Sequence, residues 1–153
     1  MINLKWCGLV LIGVFAGAGH AFAILPIQNW QTSSGARVYF VENHQLPMLD
    51  VSINFAAGSG RDTPAISGLA NLTRHMLSLG ADGLSEDEIA EKLADVGAEL
   101  GGHIDRDRAG ITLRTLSNAR ERGQALDIMS RMVQKPEFPE KVLDREKMRL
   151  VAM

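Results

Sequence analysis

The chain has 153 residues, enough for one domain with a sizeable core. Its net charge of −2 comes from interleaved acids and bases, with no Lys/Arg cluster and no acidic tail, which argues against a nucleic-acid partner and against a solvating segment. Cys7 is the single cysteine, so an internal disulfide is excluded.

The N-terminus reads as a targeting segment. "MINLK" gives a short positive start through Lys5, "WCGLVLIGVFAGAG" is an apolar run, and "AFA" at 21–23 places small residues where a signal peptidase inspects them. Cleavage is expected after Ala23, giving a signal peptide over 1–23 and a domain over 24–153. The rival reading is an uncleaved anchor, since apolar residues continue through "ILPI"; His20, the glycines and the Ala-x-Ala pattern favour cleavage. Cys7 precedes the apolar run instead of ending it, which argues against a lipoprotein. Cleavage would remove Lys5 and Cys7, leaving no thiol nucleophile. The expected product is periplasmic or secreted and free of the membrane. Periplasm fits better, because a small secreted scaffold usually needs disulfides.

"GARVYFVENH" (35–44) reads as a strand after a glycine turn. "MLDVSINFAAGSG" (48–60) alternates, with Val51, Ile53 and Phe55 on one side and Asp50, Ser52 and Asn54 on the other, and ends in a Gly-rich turn. "AISGLANLTRHMLSLGADG" carries Leu69, Leu72, Met76 and Leu79 at helical spacing, with Ser67 as N-cap and Gly80 or Gly83 as stop. "LSEDEIAEKLADVGAEL" predicts a second helix, with Ser85 and Glu88 as a capping box, a stripe of Ile89, Leu93 and Val96, and a stop at Gly97.

"ELGGHIDRD" and "RAGITLRTLS" predict a strand pair with a charged turn, Ile111 and Leu113 facing the core. "SNARERGQALDIMSRMVQKPEF" predicts a capped helix burying Ala125, Ile128, Met129 and Met132 and breaking before Pro136. "FPEKVLDREKMRLVAM" begins a last helix, with Val142, Met148 and Val151 as its stripe. Two strands, two helices, two strands and two helices argue for an α+β fold, an antiparallel sheet packed by helices. The last helix stops in mid-stripe, so the domain is expected to be truncated at its C-terminus.

One motif is nearly present. Inverted zinc peptidases carry H-x-x-E-H on a helix: two His on one face hold a metal and the Glu acts as base toward its water. The corresponding window here is Asn71-Leu72-Thr73-Arg74-His75, where only His75 matches. The context gives it weight. "SGARVYFVEN", "LPMLDVSINFAAGSGRD", "SGLANLTRHML", "LSEDEIAEKLADVGAEL", "RAGITLRTLSNARERGQALDIMSRMV" and "PEFPEKVLDREKMRL" occur in that order. Together, over about 28–153, they resemble the N-terminal domain of the insulinase (pitrilysin) zinc peptidases, the family that includes mitochondrial processing peptidase.

The resemblance implies repeated α+β domains, two or four of which form a chamber around a peptide. It also implies two helical His, a Glu base and a third, downstream Glu ligand. The first His position falls on Asn71 and the base on Arg74, while the spacing to the third ligand reaches Ala152; Glu146, six residues early, is the nearest acid. Asn71, Arg74 and His75 are thus motif remnants, with no catalytic residue and no metal ligand assigned. Catalytic zinc generally takes three protein ligands, and an amide oxygen is a poor substitute. A guanidinium roughly 6 Å from a dication, at an effective dielectric of about 20, opposes it by about 5 kcal/mol. Arg is also no base at neutral pH.

No cofactor is therefore expected, although intact family members hold zinc. The resemblance implies a non-catalytic subunit that pairs as a heterodimer with a catalytic insulinase-like homologue and helps to hold a peptide or unfolded polypeptide. Two alternatives stay open: an active zinc metalloendopeptidase with an atypical site, and a structural or binding module without a proteolytic partner. Elsewhere the plainer readings are preferred. His44 and His103 are the only other histidines of the mature chain that a rebuilt site would draw on, "AGSG" at 57–60 is a strand-end turn lacking the Lys-Ser/Thr of a phosphate cradle, and "DRDR" at 105–108 is a solvated hairpin tip.

Overall fold

A computed structural model describes residues 25–152; the expected signal peptide lies outside the described residues. The chain divides into two compact units between Gln45 and Leu46. In the first unit, β1 (Ile27–Gln31) pairs antiparallel with β2 (Arg37–Val41), in a register that sets Trp30 opposite Val38. The turn closes through Thr32 and Ala36, with Gly35 at φ 90°, where a side chain is strained. β1 is a strand that the sequence reading did not anticipate.

The second unit is built on three antiparallel strands in the order β3-β7-β6: β3 (Met48–Phe55), β6 (Glu99–Ile104) and β7 (Ala109–Leu116). β7 is central. It sets Ile111 beside Ile53 and Gly102, and Leu113 beside Val51 and Leu100. Period-two alternation gives the sheet a buried face, with Ile111, Leu113 and Thr115, and an open polar face. On the open face Arg114 Nε and Nη2 grip Asp50 Oδ1 and Oδ2 at 2.7 and 3.1 Å across a register pair. Leu49, Val51 and Ile53 are half-buried as the alternation demands, but Phe55, at the end of the ladder opposite Ala109, is 40% exposed.

Among the described residues, four α-helices follow the expected order: α1 (Leu69–Met76), α2 (Glu86–Ala94), α3 (Ala119–Gln134) and α4 (Glu140–Val151). Ser85 and Glu88 form the reciprocal capping box of α2, and Gly97, at φ 59°, ends the turn that follows it. α3 buries Ala125, Ile128, Met129 and Met132. With Ile89, Leu93, Val96, Ile111 and Leu113 they make one core between helices and sheet. The α+β class is therefore that of an antiparallel sheet packed by helices.

Three local expectations change. α1 stops at Met76, well before Gly80; Gly80–Ala81 (β4) and Leu84–Ser85 (β5) form a small hairpin instead. Its two turn residues, Asp82 and Gly83, both have positive φ (48° and 79°), as a tight two-residue hairpin requires. Ser67 does not cap α1. Gly68 takes the N-cap position at φ 90°, and the Asp62 carboxylate accepts from the N–H groups of Gly68 and Ala70 at 3.0 and 3.2 Å. On α4, Met148 and Val151 are 68% and 89% exposed, and the one buried residue of that helix is Glu146. No helix among the described residues is long and apolar enough to cross a membrane.

Candidate functional site

The "AGSG" turn and the "DRDR" tip, read separately as surface features, clasp each other. The N–H groups of Gly58, Ser59 and Gly60 donate to the carbonyls of Asp107, Asp105 and Arg106 at 3.2, 2.9 and 2.7 Å. Asp105 Oδ1 in turn accepts from the N–H groups of Asp107 and Arg108, both at 2.7 Å, which fixes the tip. A Cβ on Gly58 would overlap the backbone of Arg106 and Arg108. This clasp and the Asp62 cap hold the start of α1 against the β6–β7 hairpin.

α1 then delivers the three motif remnants to different surroundings. Asn71 is exposed. Arg74 is half-buried and lies on β6: a Cβ on Gly102 would stand 2.9 Å from Arg74 Nη1 and 3.4 Å from its Cδ, so the guanidinium occupies room that glycine leaves. His75 turns toward α4, its Nε2 3.2 Å from Glu146 Oε2. The downstream acid that meets the motif histidine is thus Glu146. Ala152, the position reached by counting, forms the C-cap of α4.

Glu146 is 3% exposed and heavily engaged. Its Oε1 accepts from Arg145 Nε at 2.7 Å, and Arg149 Nη1 lies 3.3 Å from Oε2. Arg145 Nη2 also donates to Glu86 Oε2 at 2.7 Å, tying α4 to α2. The Arg145 hydrogen bond, with the charges of Arg149, Arg145 and His75, holds the Glu146 carboxyl below its usual range, against the opposing effect of burial. The carboxylate is therefore ionised at neutral pH and can only accept, so the contact is a hydrogen bond in the tautomer of His75 that carries hydrogen on Nε2.

This donor set does not fit catalytic zinc. His75 and Glu146 are two donors where three are required, each already satisfies the other, and two guanidinium groups share the carboxylate. Among the described residues no group of three or more His, Cys, Asp or Glu is arranged to hold a metal ion. His103 adjoins Gly102 on β6 and so faces the opposite side of the sheet from Arg74, its ring over Gly110. His44 belongs to the first unit, where its Nε2 lies 2.9 Å from Glu42 Oε1.

Glu146, named from the sequence as the acid nearest the third-ligand position but given no role there, is the residue that meets His75. Its signal was available: Val142, Leu143 and Glu146 fall at helical spacing on the half-buried to buried side of α4, and Arg145 and Arg149 flank the acid.

Position and fold match a known family. The family described as Insulinase (Peptidase family M16) matches residues 37–152. The chain belongs to the insulinase family. It is similar to a probable mitochondrial-processing peptidase subunit beta of Arabidopsis thaliana, 25% identical over 135 residues that cover 88% of this chain and 25% of that protein. It is also similar to the crystal structure of a peptidase M16 inactive domain from Pseudomonas fluorescens, with a TM-score of 0.80 and 41% identity over 84% of this chain and 31% of that one. The insulinase-family chain described here thus spans less than a third of the length of either relative.

Proposed function

We propose that this chain is a non-catalytic insulinase-family component that helps to hold a peptide for a catalytic homologue carrying an intact zinc site. The observation that carries the reading is the state of α1. It keeps its place in the fold, yet it presents Asn71 and Arg74 where a ligand and a base belong, and its His75 is spent on Glu146. Similarity to a structure described as an inactive domain supports the same reading.

The sheet offers a means of holding peptide. β6 pairs only with β7 among the described residues, so its outer edge presents unpaired backbone N–H and C=O groups to an added strand. Gly101 and Gly102 keep that stretch of edge free of side chains. Hydrolysis itself falls to the partner, since this chain has neither base nor metal-held water in the reading. Export to the periplasm, through the segment over 1–23, is part of the same proposal.

The test is reconstitution. Purified chain alone should not cleave a peptide, and should raise the cleavage rate or affinity of a homologue that carries H-x-x-E-H. Activity of the isolated chain, abolished by chelator and by His75→Ala, would instead establish an atypical metallopeptidase.

A further inference from the structure

Arg74 sits where the family's base would stand, and its surroundings suit an anion. Its Nε is buried and finds no hydrogen-bond acceptor among the described residues. Several other cations of this unit are ion-paired: Arg114 with Asp50, Arg131 with Asp82 and Asp127, and Arg145 with Glu86 and Glu146. Arg74 has no carboxylate within ion-pair distance among the described residues, although it is half-buried. An unsatisfied buried donor on a charged group is costly, so the geometry favours an acceptor brought from outside.

There is room for one. A cavity of about 70 Å³ opens beside Arg74, lined also by Leu77, Ser78, Gly101 and Met132. It has the size of a small anionic group, and Arg74 and Ser78, two residues beyond the end of α1, are its polar residues in an otherwise mostly apolar lining. It also adjoins the free edge of β6. A strand added to that edge projects alternate side chains to the face on which Arg74 covers Gly102.

We propose that Arg74 forms a carboxylate-binding site that reads an acidic side chain of the peptide held along β6. This rests on the peptide-holding reading above and gives it a substrate class, segments carrying Asp or Glu. The planar guanidinium donates two parallel hydrogen bonds to a carboxylate, a pairing that neither an amide nor an ester can match in strength. The replacement of the base by Arg converts a cation-directed position into an anion-directed one.

The experiment uses the full chain, two extended peptides differing only by Glu or Gln at one position, and acetate as the simplest carboxylate. Binding is read by calorimetry and by the Arg74 Nε–H resonance in nitrogen-edited spectra. The Glu peptide should bind about tenfold tighter or more than the Gln peptide, and should shift the Arg74 resonance. Arg74→Gln should bind the two alike, with far-UV circular dichroism confirming its fold; the wild-type resonance tests the site even if that variant fails to fold. Equal affinities in the wild type, or a Glu preference that survives Arg74→Gln, would overturn the proposal and leave the peptide-holding reading intact. Saturation of the Arg74 signal by acetate, with neither peptide bound, would overturn the peptide source and the peptide-holding reading together, in favour of a free small carboxylate.

Discussion

His75 on α1 and Glu146 on α4 meet through a 3.2 Å contact between Nε2 and Oε2, although 71 residues separate them in sequence. The contact joins the degenerate motif helix to the last helix, and Arg145 extends it to Glu86 on α2. The motif helix is thereby part of a structural junction of three helices.

The first prediction concerns that junction and pH. The Glu146 carboxyl is held below its ordinary value of 4.5, mainly by Arg145. A depressed folded-state pKa stabilises the fold fully above the unfolded value, and the contribution is lost as pH falls from the ordinary carboxylate range through the lower folded value. Denaturant unfolding of wild type and Glu146→Gln should therefore differ most at neutral pH, with the variant less stable, and the two curves should converge as pH falls below about 4.

Leu113 tests the core. It is 1% exposed on the central strand, between Val51 and Leu100 and beneath the helices. Leu113→Ala should cost about 2–5 kcal/mol, read by chemical denaturation, with an unchanged m-value.

Much of this was legible before the fold was known, for reasons that particular residues make plain. Ala125, Ile128, Met129 and Met132 repeat with the helical period, and all four are buried on α3. Ser85 and Glu88 announce α2 because a capping box is local, complete within four residues. What escaped is non-local. Asp62 caps α1 from six residues upstream of Gly68, so proximity to the helix pointed to Ser67 instead. Glu146 is, by counting, only the nearest acid to a ligand position; its burial shows once His75 and its two arginines surround it. Met148 and Val151 obey the helical period, yet α4 turns its acid inward and leaves those two exposed.

The α1 cap gives a local prediction. Asp62→Ala removes the acceptor for the Gly68 and Ala70 N–H groups. It should destabilise the protein by about 1 kcal/mol and speed hydrogen exchange at those two amides first. Asp62→Asn, which keeps one acceptor oxygen, should fall between the variant and wild type.

Gly58 tests the clasp between the strand-end turn and the hairpin tip. Gly58→Ala places a methyl group into the backbone of Arg106 and Arg108, neither of which is a flexible side-chain end. The turn must part from the tip, at a cost of about 1–3 kcal/mol by thermal or denaturant unfolding. Amide protection should fall at Ser59 and Gly60, whose N–H groups donate across the clasp.

We propose that α1 serves packing and peptide holding in place of zinc chemistry. Zinc titration of the purified chain by calorimetry, with a peptide-cleavage assay on the same sample, tests it most directly. The account predicts no stoichiometric zinc binding and no cleavage by the isolated chain. One zinc bound per chain, with cleavage that chelator and His75→Ala both abolish, would contradict it.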